Sequence, residues 1–323
     1  MKAVLCKAFG PPSALAVEDV PELVPGPKQV IVGVRACGVN FPDALMVQGK
    51  YQFKPEFPFA PGGEVAGTVL RLGADVEGVR VGDRVVAFTS HGGFAEEVAA
   101  DADRLIPMPD GMDFVHASAF VMTYGTALHA LKDRGRLQPG EILLVLGAAG
   151  GVGTAAIEIG KAYGARVIAA ASSDDKLALC RECGADETIN YATEDLRERL
   201  RALAPRGLDL VFDPVGGPYS EPALRAMGWD GRFLVIGFAA GEIPRIPLNL
   251  PLLKSCSIVG VFWGAFLRRD RDETAAHLGD LVRLHAEGKL RPHVSATYRL
   301  EDAPTALTDM LERRVKGKVV IVP

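Results

Sequence analysis

Residues 145–153 read VLGAAGGVG, a glycine-rich run between the apolar segment ILLVLG and the helical pattern GTAAIEIGKAYG. Glycines between a strand and the first turn of a helix let the backbone approach a pyrophosphate, whose charge the helix N-terminus stabilises. The spacing departs from G-x-G-x-x-G, since Ala148 and Ala149 precede Gly150, and a glycine cluster alone also suits a tight turn. In this strand-to-helix context we predict a dinucleotide site at Gly147, Ala149, Gly150, Gly151, Val152 and Gly153.

The sequence shows different secondary-structure patterns before and after residue 123. From Glu141 onward, apolar strands such as ARVIAAA, LDLVFD, RFLVIG and SIVGVFW alternate with helical patterns, which is typical of parallel β-α-β units buried on both faces. The earlier residues form short β-type runs between prolines and glycines, such as QVIVGVRAC and GDRVVAFTS. We predict an α/β protein in which a doubly wound parallel-sheet domain, residues 123–264, is inserted into a β-rich domain of residues 1–122 and 265–323.

Charge and composition exclude several classes of function. The chain of 323 residues has 36 Lys and Arg against 40 Asp and Glu, a net charge of −4, which offers no basic footprint for nucleic acid or an anionic membrane. The uncharged residues 142–157 are too few and too rich in glycine to span a bilayer. The start, MKAVLCKAFG, lacks the apolar core and cleavage site of a secretory signal. We expect a cytoplasmic protein with free thiols that binds a small molecule.

The segment after the second strand of the alternating region bears on which dinucleotide is bound. NAD-binding proteins usually place Asp or Glu at the end of that strand, where it accepts from the ribose 2′-hydroxyl. Here the strand ends in Ser172 and Ser173, and Lys176 follows. Two hydroxyls and an ammonium suit a 2′-phosphate, so we predict NADPH, with Tyr191 closing the adenine end. The same residues also fit an ordinary helix N-cap beside a solvated lysine.

Motifs along nearly the whole chain resemble those of the medium-chain dehydrogenase/reductase superfamily, and within it the zinc-independent NADPH:quinone oxidoreductases. They are ACGVNFPDALMVQGKY, FAPGGEVAGTV, VGDRVVAF, GGFAEEV, TYGTALHAL, LGAAGGVG, GADETINY, DPVGG and GKVVIVP. The resemblance implies a GroES-like catalytic domain with an inserted Rossmann domain that binds NADPH. It also implies a homodimer that pairs through the strand around SIVGVFW.

The resemblance also bears on metal binding. Zinc alcohol dehydrogenases of the superfamily bind catalytic zinc through a Cys, the His of a G-H-E motif and a second Cys, and these positions correspond here to Asn40, Gly63 and Ser118. None of the three is a usual zinc ligand. Cys37 is a stray thiol, the single C-x-x-C has no second pair, and the six histidines are scattered without metal-site spacing. We therefore predict no metal site.

Roles for individual residues follow from the same resemblance. Asn40 and Tyr51 are expected to border the substrate as the catalytic residues, with hydrogen bonds to its oxygen and a proton from Tyr51; Tyr51 is equally a packed loop aromatic. Asp43 is expected to support Asn40 rather than act as a base. The further cofactor contacts are Thr123 at the nicotinamide carboxamide, Val215 at the ribose, Gly237 and Phe238 at the end of RFLVIG, and Arg313, which also suits a solvated basic face.

Without a Lewis acid, the nicotinamide is expected to carry the chemistry while the protein orients the reactants. This suits acceptors whose carbonyl needs little polarisation. The sequence therefore predicts an enzyme that reduces quinones by hydride transfer from NADPH. A rival on the same scaffold reduces enoyl thioesters or α,β-unsaturated carbonyl compounds, and a less favoured alternative binds NADPH without turnover.

Overall fold

The structure, a computed structural model, describes residues 1–269 and 271–323. It contains two compact units, one of residues 1–122 with 292–323 and one of residues 123–291. We call the first the β unit and the second the α/β unit. Each is described by itself below.

A framework of nine strands supports the β unit within the described residues. They are β1 Lys2–Leu5, β2 Ala16–Asp19, β3 Gln29–Gly38, β4 Glu64–Leu72, β5 Arg84–Phe88, β6 Glu97–Asp101, β7 Leu105–Pro107, β14 Val294–Arg299 and β15 Lys318–Val322. Strands β1 and β2 form a separate ribbon, and the main sheet has the order β14-β15-β3-β4-β5-β7, with β6 paired to β3 beside this path. All pairs are antiparallel except β14 with β15.

Strand β3 is the centre of this sheet, and its end positions several polar residues. Its residues Val30, Ile31 and Val32 are fully buried, as expected for a strand with neighbours on both sides. Its last residue, Gly38, pairs with Glu64 at the start of β4 and with Val320, two residues after the start of β15. The residues that follow β3, open β4 and open β15 are therefore brought together.

Three α-helices complete the β unit within the described residues: α1 Phe41–Val47, α2 Phe114–Ala117 and α11 Ala303–Leu311. Helix α1 begins directly after β3, with Asn40 at its N-cap position. Buried Ala44 and Val47 of α1 belong to the same apolar core as buried Ala306 and Leu307 of α11. This packing fixes the turn between β3 and α1.

The α/β unit contains one parallel sheet of six strands within the described residues. They are β8 Ile142–Leu146, β9 Arg166–Ala171, β10 Glu187–Asn190, β11 Leu208–Asp213, β12 Met227–Val235 and β13 Ser257–Gly260. The spatial order is β10-β9-β8-β11-β12-β13, which is 3-2-1-4-5-6 counted along the unit, the order of doubly wound dinucleotide-binding sheets. The predicted doubly wound parallel sheet is confirmed. In such sheets ligands bind beyond the carboxyl ends where the order reverses, here between β8 and β11.

The helices of the α/β unit cover this sheet. They are α3 Val121–Leu128, which begins in the last residues of the β unit, a π-helical turn His129–Arg134, α4 Gly151–Ala162, α5 Asp174–Glu182, α6 Leu196–Leu203, α7 Ser220–Arg225, α8 Asn249–Lys254, α9 Trp263–Arg269 and α10 Arg271–Ala286. Across the described residues, none of the helices combines the length and the apolar character that a membrane crossing requires.

The boundary near the C-terminal end of the α/β unit differs from the predicted one. The sequence assigned residues 265–323 to the β-rich domain, whereas residues 265–291 belong to the α/β unit; Asp270 lies outside the described residues. Helix α10 is anchored in the α/β unit by an ion pair of 2.7 Å between Lys132 Nζ and Asp280 Oδ2. This partner lies 148 residues away along the chain, so a local pattern does not indicate it.

Strand β12 ends earlier than the predicted strand RFLVIG. The structure ends it at Val235, so Gly237 and Phe238 lie in the loop that follows. Val235 pairs with Asp213, the last residue of β11, and with Gly260, the last residue of β13. The strand stops because both neighbouring strands stop at this level.

The edge of the parallel sheet at β13 leads to a prediction about assembly. Around this strand several apolar side chains are exposed: Ile258, Phe262, Leu252 and Leu253. An apolar strand at the end of a sheet is a template for pairing with another chain. We therefore expect a homodimer that pairs through β13.

Substituting Ile258→Lys should shift the protein toward monomer in sedimentation equilibrium, because a charge would be buried between the paired edges. Val81→Lys is the matched control, since Val81 is an exposed valine of the β unit. Wild-type protein that remains monomeric at every concentration would contradict the expectation.

Candidate functional site

Four polar residues are buried at the end of β3: Asn40, Asp43, Glu64 and Lys318. We call them the Asn40 cluster. Asn40 and Asp43 come from the start of α1, Glu64 opens β4 and Lys318 opens β15. Charged residues are rarely buried unless they are paired. Hydrogen bonds connect the side chains of Asn40, Glu64 and Lys318 to one another, and Asp43 joins them through the Asn40 backbone N–H.

Lys318 binds three acceptors in this cluster. Its Nζ donates to Asn40 Oδ1 at 2.6 Å, to the Val39 carbonyl oxygen at 2.9 Å and to Glu64 Oε2 at 3.3 Å. The other carboxylate oxygen of Glu64 accepts from the Met122 backbone N–H at 2.8 Å. The ammonium has three donors, and all of them are used. The ion pair therefore fastens β15 to the start of β4.

The Asn40 amide is held in one orientation by this pair. Its Oδ1 accepts from Lys318, and its Nδ2 donates to Glu64 Oε2 at 2.9 Å and to the Gly38 carbonyl oxygen at 3.3 Å. An ammonium can only donate, so the amide oxygen must face Lys318. Both amide donors are engaged within the protein. A hydrogen bond from Asn40 to a substrate oxygen therefore requires exchange of the longer contact, the one to Gly38.

Asp43 ties the start of α1 to the loop before β4. Its Oδ2 accepts from the Asn40 backbone N–H at 2.7 Å and its Oδ1 from the Gly62 backbone N–H at 3.3 Å. Burial raises the pKa of Asp43 to about 7, although these two N–H groups and Lys318 act in the opposite direction. The contacts suit the supporting role expected of Asp43.

The three positions that correspond to zinc ligands in zinc alcohol dehydrogenases all lie in the β unit. A Cβ built on Gly38 would lie 2.0 Å from the Ser118 carbonyl oxygen, so Ser118 packs against the end of β3, two residues before Asn40. Its hydroxyl donates to the Val115 carbonyl oxygen at 2.9 Å. These positions therefore offer an amide, a glycine at residue 63 and an engaged hydroxyl, a poor donor set for zinc.

The cysteines do not supply the missing ligands. All five are free thiols. Burial, followed by the charges of Asp43 and Glu64, raises the pKa of Cys37 well above its usual value. Burial also raises the pKa of Cys180 and of Cys183 to about 12. Metals bind the thiolate, so these neutral thiols are poor ligands.

In the α/β unit, the predicted glycine loop lies between β8 and α4. Gly147 has φ +56°, and a Cβ there would lie 2.7 Å from Val215 Cγ2. A Cβ on Gly153 would lie 2.6 Å from the carbonyl oxygens of Gly147 and Ala148. A Cβ on Gly150, by contrast, would meet only the Gly147 carbonyl oxygen, at 3.4 Å. Packing within the chain thus requires glycine at 147 and 153 but not at 150.

The N-terminus of α4 has no side-chain cap and no acidic residue in its first turn. Gly150 is its N-cap, and Gly151 and Val152 open the helix. The first N–H groups of a helix have no acceptor within the helix and favour an anion. Ala149 is buried beneath this end. The loop is therefore suited to a phosphate ligand.

Asp213 shapes the neighbouring loop after β11. Its Oδ1 accepts from the backbone N–H groups of Val215 and Gly216, each at 2.8 Å, and its Oδ2 accepts from Ser220 Oγ at 2.6 Å. The Asp213 carbonyl oxygen accepts from the N–H groups of residues 236 and 237. Val215 and Gly237 are thus positioned by one buried carboxylate and its backbone.

The end of β9 carries the residues predicted to select the dinucleotide. Lys176 Nζ donates to Ser172 Oγ at 3.3 Å, and Ser173 Oγ accepts from the Lys176 backbone N–H at 3.4 Å. Ser173 is the N-cap of α5. The Asp174 carboxylate accepts from Asn190 Nδ2 at 2.9 Å. The structure therefore brings the Ser172 hydroxyl and the Lys176 ammonium together, whereas the Ser173 hydroxyl caps α5.

Other predicted cofactor residues of this unit lie near its strand ends or on its first helix. Tyr191 follows β10, and its ring lies 4.3 Å from the ring of Tyr219, centroid to centroid. Thr123 is buried on α3, and Phe238 is 38% exposed in the loop after β12.

Tyr51 and Arg313 belong to the other unit, with Asn40. Tyr51 is half-buried and packs against the core of the β unit. Arg313 is exposed after α11 with φ +59°. The predicted site residues are thus divided between the two units.

Sequence reasoning gave no role to Lys318, Glu64 or Asp213, although their motifs were recognised. The signal for the first two was a lone charge at the start of an apolar strand, in GKVVIVP and in GGEVAGTV. A buried lysine requires an anionic partner, and a buried glutamate requires a cationic one. The two isolated charges, Lys318 and Glu64, could therefore have been expected to pair. Asp213 precedes P-V-G-G, a position where a short carboxylate can accept from the following N–H groups.

Comparison with known proteins finds two family profiles, one within the β unit and one within the α/β unit. The profile of the alcohol dehydrogenase GroES-like domain matches residues 26–110, and that of the zinc-binding dehydrogenase family matches residues 151–280. A relative from Nematostella vectensis, quinone oxidoreductase-like protein 2 homolog, is 38% identical over 327 residues, covering 99% of this chain and 88% of its own. The chain belongs to the zinc-independent quinone oxidoreductase family of the medium-chain dehydrogenase/reductase superfamily.

Solved structures of this quinone oxidoreductase family and its relatives have the same fold. A probable oxidoreductase from Mycobacterium abscessus is 40% identical, with a TM-score of 0.90 and coverage of 100% of this chain and 99% of its own. Escherichia coli quinone oxidoreductase, solved in complex with NADPH, is 27% identical, with a TM-score of 0.94 and coverage of 100% of both chains. The predicted GroES-like and Rossmann organisation is confirmed, as is the predicted class of enzyme, an oxidoreductase of the quinone oxidoreductase type.

The Asn40 cluster of this family member leads to a prediction about stability. Lys318→Met should lower the free energy of unfolding by about 3–5 kcal/mol, because it leaves the buried Glu64 carboxylate without its cation. Lys7→Met is the control, since Lys7 pairs with Glu18 at 2.7 Å on the surface and its loss should cost about 1 kcal/mol or less. Urea denaturation measures both.

Adding Glu64→Gln to Lys318→Met should recover part of this loss, because no unpaired charge then remains buried. A single Lys318→Met variant as stable as Lys7→Met would show that the Lys318–Glu64 pair does not anchor β15 to β4.

Proposed function

We propose that this protein is an NADPH-dependent reductase of quinones. The observation that carries the proposal is the donor set at Asn40, Gly63 and Ser118, which replaces the zinc ligands of alcohol dehydrogenases with an amide, a glycine and a hydroxyl. The E. coli relative in complex with NADPH supports the choice of cofactor. Bound NADPH supplies the hydride, and the protein is left to bind, orient and protonate.

The glycine loop is proposed to hold the pyrophosphate of NADPH. Gly150 supports this, because nothing in the packing of the chain requires a glycine there, whereas a ligand that touches the backbone does. The uncapped N-terminus of α4, with Gly151 and Val152 in its first turn and Ala149 beneath it, favours the negative charge. The residues present fit a dinucleotide.

The adenosine end is assigned to the segment after β9. Ser172, Ser173 and Lys176 are proposed to bind the 2′-phosphate with two hydroxyls and one positive charge. The Asp174 carboxylate accepts from Asn190 Nδ2 at 2.9 Å, and the Lys176 ammonium provides the positive charge that a phosphate requires. Tyr191 is proposed to contact the adenine.

The remaining cofactor contacts are proposed from the family resemblance and the loops around Asp213. Val215 and Gly237 have backbone positions fixed by Asp213, which suits contact with a ribose. The other contacts proposed are Phe238 beside Gly237, Thr123 at the nicotinamide carboxamide and Arg313 of the β unit.

On the substrate side, we assign the polar contacts to Asn40 and Tyr51. Lys318 and Glu64 orient the Asn40 amide, so that it can exchange its 3.3 Å contact with Gly38 for a substrate oxygen. Tyr51 is proposed to donate a proton or a hydrogen bond. These groups polarise oxygen less than a metal ion does, so an acceptor that is already electron-poor, such as a quinone, suits them.

The proposed function predicts that EDTA-treated protein oxidises NADPH when 1,4-benzoquinone or 9,10-phenanthrenequinone is added, and does so faster than it oxidises NADH. The loss of reduced nicotinamide absorbance measures the rate. Catalysis should survive chelation because an amide, a glycine and a hydroxyl at Asn40, Gly63 and Ser118 are a poor donor set for zinc.

Crotonyl-coenzyme A serves as the competing acceptor in the same assay. Turnover of crotonyl-coenzyme A without turnover of any quinone would replace the proposal with enoyl thioester reduction. Loss of quinone activity on chelation would contradict the assignment of the donor set, and NADPH binding without oxidation across the acceptors would indicate a non-catalytic protein.

Alanine substitutions at Gly150 and at Gly153 should have different effects on cofactor binding and on stability. Gly150→Ala should leave the thermal midpoint almost unchanged, because its Cβ would have ordinary contacts and φ is −80°, yet weaken NADPH binding at least about tenfold by blocking the approach of the pyrophosphate. Gly153→Ala should destabilise the protein by about 1–3 kcal/mol, because its Cβ would overlap backbone oxygens. Fluorescence titration with NADPH and thermal unfolding measure the two effects. Equal NADPH affinity for wild type and Gly150→Ala would contradict the assignment.

A further inference from the structure

His129, Asp133 and His277 form a compact cluster in the α/β unit. His129 Nδ1 lies 2.6 Å from Asp133 Oδ2, and His277 Nε2 lies 3.1 Å from the same oxygen. One donor atom from each residue lies within 4.8 Å of the other two. Among the described residues, this is where three such side chains meet at the spacing of metal ligands.

Two elements bring the cluster together. His129 and Asp133 lie four residues apart on the π-helical turn, and His277 lies on α10. The ion pair between Lys132 and Asp280 joins the same two elements at 2.7 Å. His277 and Asp133 are 144 residues apart in the chain, which is why histidine spacing in the sequence gave no sign of the cluster. A π-helical turn within an α-helix is often found at a functional position.

Both imidazole rings of the cluster are buried, whereas the Asp133 side chain is 29% exposed. His129 is 8% exposed and His277 is 5% exposed. The ring of Phe266 stacks on His129 at 4.3 Å and lies 5.0 Å from His277. His277 Nδ1 is buried without a hydrogen-bond partner within the described part of the chain, so Asp133 holds the polar side of this ring. The ring can therefore turn slightly toward an ion without breaking another hydrogen bond.

We propose that His129, Asp133 and His277 bind one divalent transition-metal ion, with zinc as the fitting example. Two imidazole nitrogens and one carboxylate oxygen are a donor set that zinc and its neighbours prefer, whereas Mg²⁺ and Ca²⁺ prefer oxygen ligands. Ligands about 2.0–2.2 Å from a tetrahedral ion lie roughly 3.3–3.5 Å from one another. The present His–Asp separations of 2.6 and 3.1 Å require a small outward movement of the Asp133 carboxylate, and the two imidazole nitrogens already lie within 4.8 Å of each other.

The ion would cross-link α10 to the π-helical turn within the α/β unit. The proposed quinone chemistry uses no metal ion, so the inference gives this ion a structural role. The inference stands on its own geometry. Removing the metal should lower stability while quinone reduction continues.

Metal binding is tested on the full-length protein after chelation and desalting. Titration with ZnCl₂ in competition with a chromophoric chelator should show one ion per chain, and CoCl₂ should give the visible bands of a four-coordinate site with nitrogen and oxygen ligands. Added zinc should raise the thermal midpoint, because an ion that binds the folded state alone stabilises it.

The variants His277→Ala and Asp133→Asn should each weaken zinc binding by more than about 100-fold, since changes in the partners of metal ligands alone cost about 10–100-fold. They should also abolish the rise in thermal midpoint. His116→Ala is the matched control, because His116 Nδ1 pairs with Asp113 at 2.8 Å on an exposed surface. This control should bind zinc like wild type.

Three results would overturn the proposal: no saturable binding of zinc or cobalt by wild type, undiminished binding by both variants, or equal loss in the His116→Ala control. Circular dichroism of the metal-free variants shows whether they fold. If they do not, the cobalt spectrum of wild type decides, since octahedral, water-like bands would exclude the site and four-coordinate bands would support it.

Discussion

The buried ion pair between Lys318 and Glu64 is the contact on which the β unit depends. It joins β15 to β4 at the end of the central strand β3, where Gly38 is paired with both. Asn40 lies between the two charges and takes its orientation from them. A salt bridge in such a place is not a large source of stability by itself. Its effect is to determine which way the neutral Asn40 amide points.

The α/β unit reaches the same degree of order by a different route. Its parallel strands end at a common edge, which is shaped by glycines and by one buried carboxylate, that of Asp213. Gly147 and Gly153 are glycine because the protein itself leaves no room for a side chain, while Gly150 is glycine where the protein leaves room. Asp213 then fixes the loop beside them through three hydrogen bonds. One glycine-rich motif thus contains glycines that serve two separate physical purposes.

Local patterns predicted what local interactions determine. The alternation of strands and helices, the glycine loop between β8 and α4, and the Ser173 cap were all visible in short windows of sequence. The end of β12 depends on where the neighbouring strands β11 and β13 stop. The assignment of α10 to the α/β unit depends on its ion pair with the distant Lys132. The Asn40 cluster and the meeting of His129 with His277 likewise join distant parts of the chain. Such contacts leave no periodic signal, although an isolated charge in an apolar strand, as in GKVVIVP, does indicate that a partner must exist.

The order of the chain gives the Glu64–Lys318 pair a consequence for biosynthesis. Glu64 leaves the ribosome 254 residues before its cation, and the whole α/β unit is made between them. The α/β unit is one continuous segment of the chain, so it can fold before Lys318 is synthesised. During that time the Glu64 carboxylate remains solvated and without its partner. Contacts between distant segments form late because closing a long loop costs entropy. The Asn40 amide therefore acquires its final orientation only after the whole α/β unit has been synthesised.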